Sequence, residues 1–420
     1  MCRSTCGYGS GDPATLTLSD FDSLGDKIPI DTIVLVMQEN RTFDSYFSSL
    51  TVPGQTVDGA APDATNPDPT MPGATISRFH QTAYCFDNPA ESWDEVHREV
   101  DGGALDGFTT QNALSDAADP QGLRSMGYYD ETDLPYYYAL ARAWAISDRH
   151  FASVLANTFT NRLFYLAGTA YGITSNIVPP QTAPDGSVLP NLFTRLNDAK
   201  ITWAFYAQDA ASLAVLTQTW AKNLAHILPL DQFAADAAAG ALPQVVFVEG
   251  SDMLGGASPD EDPPGDFQGG QAFVANVVSE VTSSPQWPHL AMFFSYDEQG
   301  GLYDHVPPPA ACIPDDLPPM IDAGGVDAAY DSYGLRVPLF VISPYAKRGY
   351  VSHEVTDHTS ILRFIEARFG LPALTHRDAN AVPPFDMFDF ANPDTSVPSL
   401  PDAPVDQTQL AACASKYPKS

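Results

Sequence analysis

Five short apolar runs rich in β-branched residues, at 30–37, 201–206, 245–248, 290–294 and 337–342, alternate along the chain with stretches of helical spacing. In each run the hydrophobic residues are continuous rather than alternating, and a strand of that kind must be covered on both faces. The helical stretches 134–144, 161–169, 271–281 and 358–369 carry apolar residues three and four apart, the last stopped by Gly370 and Pro372. The expected fold class is α/β, a three-layer α/β/α sandwich with a mostly parallel central sheet and right-handed connections.

At 420 residues the chain exceeds the usual size of one core, but α/β enzymes stretch a single domain this far by lengthening loops. Pro/Gly/Asp-rich stretches at 52–74, 251–270 and 307–325 are too polar for core and too long for ordinary connections. We expect one catalytic domain, 1–420, with these three as insertions that build or cover a site. A content of 44% hydrophobic residues supplies a sizeable core.

The net charge of −32, from 52 acidic and 20 basic residues, repels nucleic acid and anionic membranes, so neither is an expected partner. Cys2, Cys6, Cys85, Cys312 and Cys413 lack the paired spacing of a zinc site, which leaves disulfides or buried thiols. An exported protein, secreted or periplasmic, fits them better than a cytosolic one. No signal peptide and no run of about 18 apolar residues is visible, so a soluble mature form without a transmembrane segment is expected.

In open parallel sheets, ligands gather at the carboxyl ends of the strands. The first run ends in Gln38-Glu39-Asn40-Arg41. The fourth ends in Ser295-Tyr296-Asp297-Glu298-Gln299-Gly300-Gly301, with Asp304-His305 beyond. Capping suffices to explain one acidic strand end, but carboxylates converging from two such ends repel each other unless a divalent cation lies among them. The hard-oxygen set suits Mg²⁺, Mn²⁺ or Ca²⁺, and Zn²⁺ if a histidine joins.

Thr158 and Thr160 stand before an apolar helix, where a hydroxyl meets the positive end of the dipole and free N–H groups hold phosphate. From local sequence alone the stronger reading is a plain N-cap. Arg162, one turn on, is suited to phosphate oxygens or to a nearby Asp. Of nine histidines, His305 and His358 follow an Asp at an element boundary and are the candidates for chemistry. His80 and His97 are weaker. His150, His226, His289, His353 and His376 are read as structural.

Five segments, VLVMQENRTFDSYF, MGYYDETDLPYYYALA, SDRHFASVLANTFTNRLFYLAGT, SYDEQGGLYDHVPPP and RVPLFVISPYAKRGYVSHEVTDHTSILRFIEARFGL, resemble the bacterial phosphoesterase family of C-type phospholipases and acid phosphatases, in the alkaline phosphatase superfamily. The resemblance implies an alkaline phosphatase-like fold. It makes Thr158 a nucleophile that forms a phosphothreonine, with Glu39, Asn40, Asp297 and Glu298 holding a metal that also contacts Thr158. The family writes proline two residues after the nucleophile, where this chain has Thr160, and Arg162 is retained. The related sulfatases use a modified Cys or Ser, and no cysteine here stands at that place. Two departures matter more: Glu91 before Ser92-Trp93, and Asp262 before Pro263-Pro264, each replace a histidine common in the family. Carboxylates there would repel a phosphate dianion unless a second cation screens them, so Glu91 and Asp262, with Asp260, are expected to hold an additional metal.

The function expected is hydrolysis of small-molecule phosphomonoesters or phosphodiesters, with phospholipid head groups one substrate class. On this reading Arg162 and the metal stabilise charge on phosphorus, and His305 or His358 serves the leaving group or the attacking water. Two alternatives stay open: sulfate, phosphonate or phosphotriester hydrolysis on the same site, and a non-catalytic calcium-binding surface protein.

Overall fold

The computed structural model describes residues 5–180, 182, 189–208, 211–250 and 260–417. Eight strands form the main sheet: β1 (Thr32–Gln38), β2 (Ala145–Ser147), β3 (Trp203–Ala207), β4 (Ile227–Pro229), β5 (Val245–Glu249), β6 (Leu290–Tyr296), β7 (Leu339–Ile342) and β8 (Tyr350–Ser352). Their order is β8-β2-β7-β6-β1-β5-β3-β4. All pairings are parallel except those of β7, which runs antiparallel to both β6 and β2. The fifth apolar run is thus a buried strand, as its continuous pattern requires. Its direction differs from a uniformly parallel sheet, because a strand covered on both faces looks the same in sequence whichever way it runs.

Consecutive residues of a strand point to opposite faces, and β6 shows what covers each. Phe293 meets Phe364 of helix His358–Phe369 with ring centroids 5.0 Å apart. Phe294 meets Tyr137 of helix Pro135–Ala143 on the other side, at 5.4 Å. The same division holds further along. Phe247 of β5 packs on Tyr165 of helix Thr158–Ala167, and Tyr206 of β3 packs on Phe233 of helix Leu230–Ala239. The sheet is therefore sandwiched between helical layers, with its apolar runs in one continuous core.

Helix Thr158–Ala167 ends at Gly168, whose φ of 75° closes the last turn. Helix Gln268–Ser283 begins three residues before the end expected for the second insertion, since Gln268 to Gly270 are helical; 251–259 lie outside the described residues. Thr65–Pro67, within the first insertion, pairs with Thr75–Ser77 just beyond it as a small antiparallel ribbon. Disulfides join Cys6 to Cys312 and Cys85 to Cys413, closing loops with sequence separations of 306 and 328. Cys2 lies outside the described residues. Among the described residues, no helix is long and apolar enough to cross a membrane.

Candidate active site

The site is a consequence of strand register. Gln38 is paired with Tyr296 across β1 and β6, so Glu39-Asn40 and Asp297-Glu298 leave the sheet at the same level. On the other side of β1 lies β5, whose last residue is Glu249. Three neighbouring strands therefore deliver carboxylates to one edge, where ligands of parallel sheets collect. Asn40 turns the chain with φ 66°, a left-handed conformation that asparagine tolerates better than most side chains. Its backbone N–H donates to Asp297 Oδ1 at 3.2 Å. A Cβ on Gly300, itself at φ 58°, would lie 2.6 Å from Asn40 Cβ, so the close approach of the two strand ends requires glycine there.

Arg162 projects into this edge from helix Thr158–Ala167, one turn after Thr158. Its guanidinium donates to Glu39 Oε1 at 2.7 Å, Glu249 Oε1 at 2.9 Å and Asp297 Oδ2 at 3.2 Å. Burial opposes its charge, but Glu39, Asp297 and Glu249 outweigh that and hold it protonated. Arg162 thus faces three carboxylates, the Asp-pairing option left open by its sequence. Glu249 also accepts from Ser212 N at 2.8 Å and Ser212 Oγ at 2.5 Å, which fixes the carboxylate that fixes the arginine.

Asn40 Nδ2 donates to Glu91 Oε2 at 2.9 Å and to Asp262 Oδ1 at 2.7 Å, so both departures from the family pattern come to the same amide. Burial, then Asp260, raises the Glu39 carboxyl well above its ordinary range. Burial and Glu91 do the same to Glu298, and burial and Asp297 push Glu91 up to about 7. One arginine does not balance this many carboxylates. Two buried oxygens at the centre, Asn40 Oδ1 and Glu298 Oε1, have no hydrogen-bond partner among the described residues. A cation would satisfy orphaned acceptors and relieve repulsion among raised carboxyls, and oxygen donors of this kind suit a hard divalent ion.

Thr158 is the first helical residue and nearly buried; the N-cap is Asn157, whose side chain makes no capping bond. The cap reading of Thr158 and Thr160 is thereby corrected: the helix starts one residue earlier than a Thr158 cap requires and three earlier than a Thr160 cap requires. The N–H of Phe159 is taken instead by Asn176 Oδ1 at 2.9 Å, from a segment beyond the helix.

The two candidate histidines go elsewhere. His358 begins helix His358–Phe369 and bonds through Nε2 to the backbone carbonyl of Asp297 at 2.7 Å. Burial lowers it to about 4, so it is neutral and supports the strand end from behind. His305 Nδ1 bonds Asp44 Oδ2 at 2.6 Å and Nε2 meets Asp58 at 3.3 Å, while Arg336 pairs with Asp304 at 2.9 Å and Asp44 at 3.1 Å. Asp44, Asp304 and His305 offer ligand atoms within 4.8 Å of one another, as do His80, Asp130 and Asp133. In the first group the guanidinium of Arg336 already supplies the counter-charge. None of the bonds of His305 reaches Glu39, Asn40 or Asp297. His97 Nδ1 donates to the Trp93 carbonyl at 2.7 Å within its own helix.

Beneath the site lies Glu261, fully buried and flanked by Asp260 and Asp262. It accepts from Tyr46 Oη and Tyr137 Oη at 2.6 Å each and from Tyr296 Oη at 3.1 Å. Arg41 donates to Tyr46 Oη at 2.7 Å and to the Asn40 carbonyl at 2.6 Å, which couples this network to the site above. Replacing Glu261 by Ala removes the acceptor for three buried hydroxyls and is expected to destabilise the protein by about 3–5 kcal/mol, read from denaturant unfolding.

The sequence profile of the Phosphoesterase family matches residues 30–372, and the chain belongs to that family. It is a phosphoric ester hydrolase. It is similar to phospholipase C B of Mycobacterium tuberculosis (strain CDC 1551 / Oshkosh), 31% identical over 431 residues covering 89% of this chain and 80% of that one. Non-specific phospholipase C1 of Arabidopsis thaliana is 30% identical, covering 84% of this chain and 69% of its own. Among solved structures, the lipoteichoic acid synthase LtaP from Listeria monocytogenes superposes with a TM-score of 0.40 at 10% identity, over 88% of this chain and 82% of that one. So loose a likeness carries no argument about the site.

Proposed function

We propose that the protein hydrolyses phosphate esters with a divalent metal and Thr158 as nucleophile, and that phospholipid head groups are its substrates. The observation that carries the metal is the pair of orphaned buried oxygens, Asn40 Oδ1 and Glu298 Oε1, among carboxyls raised by burial and mutual repulsion. Glu39, Asn40, Asp297 and Glu298 would hold the ion beside Thr158, with Glu91 and Asp262, joined by Asp260, taking a second. When bound, such ions supply Lewis-acid stabilisation of phosphoryl oxygens and lower the pKa of a hydroxyl.

On this reading the Thr158 oxygen attacks phosphorus in line, the bond to the alcohol oxygen breaks, and water then cleaves the phosphothreonine. Arg162, held by Glu39, Asp297 and Glu249, keeps a planar guanidinium at the site, a group suited to bind phosphoryl oxygens. His358 keeps the Asp297 strand end in place through its carbonyl. The similarity to phospholipases C supports the phospholipid substrate class. Both disulfides support an exported, secreted or periplasmic location.

The test is a panel of aryl phosphate, choline phosphodiester, phosphonate and sulfate esters, assayed after chelation and readdition of single metals. Turnover of the phosphodiester, restored by one defined ion, is expected; a preference for sulfate would overturn the substrate class. In the same preparation, Glu91→Ala and Asp262→Ala should each lower the metal content and leave less than a tenth of the activity. Metal content and activity unchanged in both would remove the second ion.

A further inference from the structure

We propose that residues 177–178 and 313–322 form a face that docks on the surface of a zwitterionic, choline-headed phospholipid bilayer. The proposal rests on the phospholipid reading of the site and adds how such a substrate is met. Ile177, Val178, Ile313, Leu317 and Met320 are 50%, 54%, 51%, 39% and 47% exposed. A water-soluble protein seldom gathers that many large apolar side chains outside its core.

The two segments are one surface. Met320 N donates to the Gly172 carbonyl at 2.7 Å, and Thr174 Oγ1 donates to the Met320 carbonyl at 3.0 Å. The surface is held from behind as well: His376 N donates to the Pro314 carbonyl at 2.8 Å, and Cys312 is bonded to Cys6. The apolar side chains therefore stand on a fixed scaffold that contains no helix or strand.

This surface borders the site on two sides. Asn176, next to Ile177, accepts from the N–H of Phe159, the residue after Thr158. Just beyond the second segment, Val326 accepts from Trp93 Nε1 at 3.0 Å and donates to Asp94 Oδ1 at 2.7 Å, both residues following closely on Glu91. The 313–331 segment itself encloses an open cleft of about 610 Å³ lined by Pro318, Pro319, Ile321, Asp327, Ala328 and Asp331.

Charge selects the occupant. From 311 to 332 the chain carries Asp315, Asp316, Asp322, Asp327 and Asp331 and no basic residue, and the whole molecule is at −32. An anionic bilayer is repelled by such a face. A choline-headed one presents quaternary ammonium groups to the carboxylates and acyl chains to the apolar side chains.

The experiment is flotation of the full chain with phosphatidylcholine vesicles and with phosphatidylglycerol vesicles, alongside turnover of a water-soluble choline phosphodiester. The triple variant Ile177→Ser, Leu317→Ser, Met320→Ser should lose at least tenfold in partition to phosphatidylcholine vesicles and keep soluble-ester turnover within twofold. Ile177→Trp should partition at least threefold more strongly, with a blue shift of its fluorescence. Unchanged partition of the triple variant, a preference for phosphatidylglycerol, or a concentration-dependent dimer that the triple variant abolishes without any vesicle binding would each overturn the proposal. Vesicle binding that depends on these residues in a protein that hydrolyses no phospholipid would uphold the face while refuting the substrate reading.

Discussion

Thr158→Ala is expected to lose at least about 10³-fold in kcat on a choline phosphodiester while its metal content stays close to that of the parent. The alanine removes the only atom proposed to bond phosphorus and leaves the carboxylates of three strand ends untouched. Helix Thr158–Ala167 should survive the change, because the cap position belongs to Asn157 and the N–H of Phe159 is satisfied by Asn176. Thr158→Ser, which restores a hydroxyl on the same carbon, should recover part of the rate. Rapid quench with a labelled ester should trap phosphate on the parent and on the Thr158→Ser variant but not on the Thr158→Ala variant. A kcat for Thr158→Ala within tenfold of the parent would remove threonine from the chemistry and return the site to direct attack by water.

The sheet was legible where the chain buries long apolar runs. Leu290–Tyr296 and Thr32–Gln38 are continuous and sit at its centre. Ala145–Ser147 and Tyr350–Ser352 were not legible, since three residues are too few to show a period, and pairing of Ala145–Ser147 with β7, and of Tyr350–Ser352 with Ala145–Ser147, makes them strands. The strand-end rule found Glu39-Asn40 and Asp297-Glu298. It points equally to Glu249, which ends β5 but lies beyond its apolar run because a carboxylate interrupts the hydrophobic pattern after Val248. Glu261 had no local signal: its tyrosine partners lie 35, 124 and 215 residues away, and only the fold brings them together. His305 had a local signal that did not lead to the site, because the Asp beside it is claimed by Arg336 and the imidazole itself by Asp44. Short sequence distance to an acid says little about which charge a histidine finally meets.

Removal of the proposed metal should abolish turnover, and its rebinding should be steeply dependent on pH. Burial and Asp297 push the Glu91 carboxyl up to about 7, and burial raises Glu39 and Glu298 well above their ordinary range. A divalent ion binds the ionised forms, so each proton it must displace weakens its apparent affinity about tenfold per pH unit below 7. Without metal the same groups act on stability in the opposite sense. A carboxyl whose pKa is higher folded than unfolded retains a proton that the unfolded chain has released. The stability it contributes is complete below the unfolded value and is lost as pH rises through the folded one. The metal-free protein should therefore lose Tm between about pH 4.5 and 7.5, the window set by the Glu91 shift from 4.5 to about 7. The metal-loaded protein should gain stability over the same window, and Glu91→Gln should flatten the metal-free curve. Calorimetry with and without chelator, together with metal titrations at pH 5.5 and 8, measures both slopes. A metal affinity equal at the two pH values, or a metal-free Tm that climbs through the window, would mean that these carboxyls are ionised without a cation and that the site is held by Arg162 alone.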